Sequence, residues 1–196
     1  MGIVVGIFVL CIIVILFIPP VPQWDEYHKF SDTRSRLNVP NFGDVMSNAG
    51  FLLAGLFGLV KTIRNGLFDT HMDRIPYFIF FVGVTLTGIG SGYYHWAPSN
   101  DTLFWDRLPM TVAFMSFFAA VVSDRINRKI GIFVILPILL IVGAYSLIYW
   151  QRTEVEGAGD LRFYGMVQFF PLVATPVIIW LYRDYRYTDG RIISWI

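Results

Sequence analysis

The sequence predicts an all-α protein, a polytopic transmembrane helix bundle with six spans. Of its 196 residues 56% are hydrophobic and 15% charged, and the mean hydropathy is +0.59. Soluble domains carry about 25% charged residues and have too little interior for this much Phe, Ile, Leu and Val. Uncharged apolar stretches recur at 3–19, 45–60, 75–94, 108–123, 130–150 and 163–182, against the roughly 17–25 residues a membrane helix needs. They are apolar all round rather than alternating, which favours helices over a closed barrel.

The first stretch has no basic residue before it, and Ile18-Pro19-Pro20-Val21-Pro22 follows it instead of a small-residue cleavage site. Residues 1–20 are therefore expected to be a retained N-terminal transmembrane anchor. Residues 21–44 form a polar extracytoplasmic loop, and the bundle proper occupies 45–196. The second stretch carries Gly50, Ala54 and Gly58 at helical spacing, a face that lets a neighbouring helix come close. The second and fourth stretches are short, so their helices are expected to run on into flanking polar residues.

Alternate loops fall on opposite sides. One side holds Lys61, Arg64, Arg74, Arg125, Arg128, Lys129, Arg183, Arg186 and Arg191, and the other Lys29, Arg34, Arg36, Arg107, Arg152 and Arg162. The excess of basic residues puts the N-terminus and the tail in the cytoplasm. The compact loops point to a multi-pass protein of a bacterial inner membrane. A formal net charge of +1 leaves no electrostatic footprint for nucleic acid, and a single cysteine, Cys11, excludes an internal disulfide.

The polar residues concentrate in two places. The third stretch ends Ser91-Gly92-Tyr93-Tyr94-His95, and Trp105-Asp106-Arg107-Leu108-Pro109 opens the fourth. Ser91 and His95 are four apart and share a helix face, and Asp106 returns to the same depth across a short loop. Ionisable groups at membrane depth are functional candidates. The plainer reading makes His95 an interfacial residue beside Trp96 and pairs Asp106 with Arg107. A serine hydrolase would need an oxyanion loop or nucleophile elbow around Ser91, and none is present. A metal site would use His95 as ligand, Asp106 as acid and base and Ser91 to steady water. Catalytic zinc takes three protein ligands, and the other two histidines, His28 and His71, lie in loops on opposite sides. The second concentration, around Glu26, Asp32 and Asn41, has the oxygen density to hold calcium but not EF-hand spacing, and the plainer reading of it is a solvated loop.

Asn41-Phe42-Gly43-Asp44-Val45-Met46-Ser47-Asn48, Ser91-x-x-x-His95, Trp105-Asp106-Arg107-Leu108-Pro109-Met110 and Met166-Val167-Gln168-Phe169-Phe170-Pro171, in that order, resemble the alkaline ceramidase family. That family belongs to a group of seven-helix membrane hydrolases that includes adiponectin and progestin receptor-like proteins. The resemblance implies zinc-dependent hydrolysis of the amide bond of ceramide-like lipids. It makes His95 a zinc ligand and gives Ser91 and Asp106 catalytic roles; the acyl chain of such a lipid is expected among the second, third and sixth stretches, where aromatic and aliphatic side chains are plentiful. Two further zinc ligands belong to a His-x-x-x-His motif that this sequence lacks. Arg191-Ile192-Ile193-Ser194-Trp195-Ile196 resembles the start of another apolar helix, so the chain is expected to lack two C-terminal helices. The first stretch is extra relative to the seven-helix core. The alternative is a non-catalytic bundle, pseudoenzyme or receptor-like, without a complete zinc site.

Overall fold

The computed structural model describes residues 2–64 and 66–188, and among these there is no strand. The helices are α1 (Gly2–Phe17), α2 (Phe42–Ile63), α3 (Arg74–Trp96), α4 (Asn100–Arg125), α5 (Arg128–Val155) and α6 (Arg162–Leu181). Five of the six, α2 to α6, are long and apolar enough to cross a membrane. The first expected span is the exception. With 16 residues, α1 rises about 24 Å, short of the ~30 Å hydrocarbon core. The opening of a further helix expected at 191–196 lies outside the described residues.

The short fourth stretch does run on into polar sequence, because α4 starts at Asn100. Ser99 Oγ accepts from Thr102 N–H at 3.2 Å and Ser99 N–H donates to Thr102 Oγ1 at 3.0 Å, a reciprocal cap that satisfies two free donors of the first turn. Asp101 adds a negative charge there, which suits the helix dipole. In α5 a π-helical turn spans Gly131–Ile135. Pro137 follows it, and its missing N–H leaves the ladder without one bond at that level.

α4 is the central helix: α3, α5 and α6 all pack on it, α2 packs on α3, and α1 packs on α6. Small residues set the α3–α4 seam. A Cβ on Gly83 would stand 2.7 Å from Ala113 N, and one on Gly90 would collide with the Trp105 carbonyl oxygen. That carbonyl is the one Pro109, inside α4, leaves without its usual donor. The α2–α3 seam differs from expectation. Gly55 and Gly58 lie against α3 while Gly50 faces open space, so the packed face runs through Gly55, Gly58 and Thr62 and not through Gly50, Ala54 and Gly58.

Loops gather at two ends. At one end the 18–41 strap crosses the 97–99 and 156–161 turns: Leu161 N–H donates to Val21 O at 2.8 Å and Gln23 N–H to Glu154 Oε1 at 2.6 Å. At the other, Arg128 pairs with Asp73 at 2.6 Å, and Asp124 accepts backbone N–H bonds from Arg186, Tyr187 and Thr188 at 2.9–3.0 Å. The six helices therefore alternate in direction. Leu53, Phe57, Ile141 and Trp180 point outward, each more than 60% exposed, as residues facing hydrocarbon would.

Candidate active site

The last turns of α3 and the first turns of α4 build the site. The two helices are antiparallel neighbours with a glycine seam, so Ser91 and Asp106 meet at the strap end and are each 8% exposed. The Ser91 hydroxyl is the polar neighbour of the Asp106 carboxylate, and His95 lies within electrostatic range of it. Asp106 does not pair with Arg107, which corrects the plainer reading. The Arg107 guanidinium instead lies 4.5 Å from the Trp150 ring centroid, 5.0 Å from Tyr164 and 5.5 Å from Tyr27, and it donates to Gln23 Oε1 at 2.7 Å.

Besides Arg107 Nη1, which lies among its rings, two atoms of the site, His95 Nδ1 and Asp106 Oδ1, are buried without a hydrogen-bond partner among the described residues. Buried polar atoms nearly always have one, and leaving a carboxylate oxygen bare costs free energy. A cation, a water or a substrate group would relieve both. His95 Nδ1 thus fits one metal ligand. Among the described residues no group of three or more His, Cys, Asp or Glu side chains is gathered to hold a metal, so His95 and Asp106 do not by themselves complete a three-ligand site.

The strap positions the site from above. Its one-turn helix Asp25–His28 sets the His28 ring over Tyr94, with Nδ1 3.0 Å from the Tyr94 hydroxyl and Nε2 3.0 Å from Asn100 Oδ1. Both nitrogens of His28 are thereby engaged. The Phe30 ring packs on the His95 imidazole with centroids 4.4 Å apart. Asn41, in a left-handed conformation with φ 46°, donates from Nδ2 to the His95 carbonyl at 2.8 Å. The last turn of α3 is thus held at its side chain and at its backbone.

Of the sequence-derived candidates, Ser91, His95 and Asp106 come together. Glu26, Asp32 and Asn41 are each engaged separately. Asp32 pairs with Arg34 at 2.6 Å and accepts from Gly43 N–H at 2.6 Å, Asn41 holds His95, and Glu26 is exposed beside Lys29 at 3.6 Å. The calcium expectation for these three rests on the sequence alone. Phe30, Tyr94 and Arg107 escaped the sequence reading because their partners are distant in the chain. An aspartate and arginine just before Pro109 was the only local sign that charge enters the bundle there.

A cavity of about 460 Å³ lies between α1 and α6, far from these residues. One of about 360 Å³ opens at Ser91 and Asp106 and is lined by Phe51, Phe80, Val84, Thr87, Met110, Ala113 and Phe114. Its walls are α2, α3 and α4, so α6, expected to contribute, does not.

An apolar helical bundle with a serine and an aspartate buried at the mouth of a hydrocarbon-lined cavity, and a half-buried histidine one helical turn above the serine, defines an integral membrane protein with a site suited to a lipid. The ceramidase family model matches residues 38–186, most of the chain and including Ser91, His95 and Asp106, and the chain belongs to the ceramidase family. The family consists of ceramide-hydrolysing membrane enzymes, so a lipid amide is the substrate class at family level. No curated protein and no solved structure matches the chain.

Proposed function

We propose that this chain cleaves the amide bond of ceramide-like lipids and that its chemistry uses zinc, with His95 as one ligand. The observation that carries the reading is the pair of bare buried atoms, His95 Nδ1 and Asp106 Oδ1, beside Ser91. Zinc, when bound, supplies Lewis acidity and lowers the pKa of a coordinated water toward about 7. Asp106 accepts the proton from the attacking water and returns it to the leaving amine, general acid–base work worth about 10²–10⁴ in rate. Ser91 donates a hydrogen bond to the oxygen on which negative charge develops, a role worth about 2.7–4 kcal/mol where such donors have been removed. Phe30 and Asn41 keep His95 in place while this happens.

The test is release of sphingoid base and fatty acid from ceramide in mixed micelles, followed by mass spectrometry. Asp106→Asn should lower release at least about 100-fold, and His95→Ala should lose bound zinc by elemental analysis. Full activity after exhaustive chelation would remove zinc from the mechanism. No release from the wild-type protein with zinc supplied would favour the non-catalytic bundle instead.

A further inference from the structure

The cavity at Ser91 and Asp106 is polar at one end only. Along α3 its lining residues Phe80, Val84, Thr87 and Ser91 fall at i, i+4, i+7 and i+11, a single stripe on the helix. Along α4 they are Asp106, Met110, Ala113 and Phe114. Thr87 contributes no free polarity, because its hydroxyl donates to Gly83 O at 2.9 Å. Beyond Ser91 and Asp106 the surface is hydrocarbon down to Phe80 and Phe114. Phe80 is braced by Phe81 and Phe117, with ring centroids 4.9 and 5.6 Å away, so this floor is fixed by packing.

We propose that this cavity holds the N-acyl chain of the substrate and that Phe80 and Phe114 set its preferred length. The proposal rests on the amide-hydrolase reading above and adds which cavity takes the acyl chain and which residues limit its length. The choice between the two halves of the lipid is chemical. The acyl chain is apolar from the first carbon after the carbonyl, matching a cavity that is apolar from the first residue below Ser91 and Asp106. The sphingoid half carries hydroxyls next to the amide nitrogen and suits the polar strap above. Ser91 to Phe80 is eleven residues of helix, roughly 16 Å at ~1.5 Å per residue. The volume of 360 Å³ gives a second measure. A methylene occupies about as much space as a water molecule, ~30 Å³, so about a dozen methylenes fill it.

Competition assays with ceramides of short, medium and long acyl chain test this in the membrane-extracted protein. Wild type should prefer chains near a dozen carbons. Phe80→Ala should shift the preference toward longer chains. Val84→Phe, which fills the cavity partway down, should shift it toward shorter ones, each by about 10-fold or more in the long-to-short ratio of kcat/KM. Unchanged ratios in both active variants overturn the proposal. If wild type hydrolyses nothing, the enzyme reading fails, and the acyl lengths of ceramide retained by each variant, read by native mass spectrometry, still decide the cavity. A shifted distribution supports the proposal and an identical one overturns it. If Val84→Phe does not fold, the direction of the Phe80→Ala shift decides it alone.

Discussion

Arg107 is the residue that departs furthest from what its type suggests. A guanidinium 7% exposed with no carboxylate within ion-pair distance among the described residues is stabilised instead by three ring faces and the Gln23 oxygen. Each cation–π contact contributes about 0.5–2 kcal/mol when desolvated. The planar fork matters, because it lies against rings while still reaching Gln23, which an ammonium does poorly. Arg107→Lys should therefore destabilise the protein by about 1–3 kcal/mol, read as a lower midpoint of thermal unfolding in detergent. An unchanged midpoint would mean the rings do not hold the charge. This environment was illegible in sequence because Gln23, Tyr27, Trp150 and Tyr164 come from the strap, α5 and α6. The Ser91–His95–Asp106 group was legible for the opposite reason. One i, i+4 pair and one short loop bring it together with no long-range information.

At the scale of elements, apolar runs located five spanning helices, and the shortness of the fourth run showed that its helix continues into polar residues; how far it continues is set by the Ser99 cap, beyond the reach of a reading based on charge. The strap was legible as polar and no further, since its shape depends on Asp32, Arg34 and Gly43. Arg34 is the main cause of a low Asp32 pKa: its side chain and then its backbone N–H bond the carboxylate, Gly43 N–H adds to them, and the value falls from 3.8 to about 2. A carboxylate with a lowered folded pKa gives stability that is complete above the unfolded value and lost as pH falls through the folded one. Amide-exchange protection at Gly43, normalised to unfolded peptide, should thus hold down to about pH 4 and decline toward pH 2. Asp32→Ala, which has no side-chain acceptor, should lack it at every pH. Protection that survives at pH 2 would show that Asp32 does not close the strap.

For the whole molecule, alternation of helix direction ties the two ends to opposite faces of a membrane. α1 is short, yet it lies along α6 from end to end. Val4 packs on the cluster containing Ala174 and Ile178, Phe8 meets Phe170 at 5.3 Å, and Arg162 donates to the Ile18 carbonyl at 2.6 Å beyond the other end of α1. A helix shorter than the hydrocarbon is accommodated by local thinning at modest cost, so the N-terminus and residues 182–188 share one side. The active-site strap and the turn at Gly157, with φ 74° and open space around it, share the other. The basic residues assign the sides: the end bearing Arg64, Arg74, Arg125, Arg128 and Lys129 should face the cytoplasm. Topology reporters inserted at Gly157 and after Thr188 check both statements at once. The expected result is an external signal from the first and a cytoplasmic signal from the second. Reversed signals would overturn the charge argument and leave the fold intact, whereas two signals from one side would contradict the packing of α6 itself.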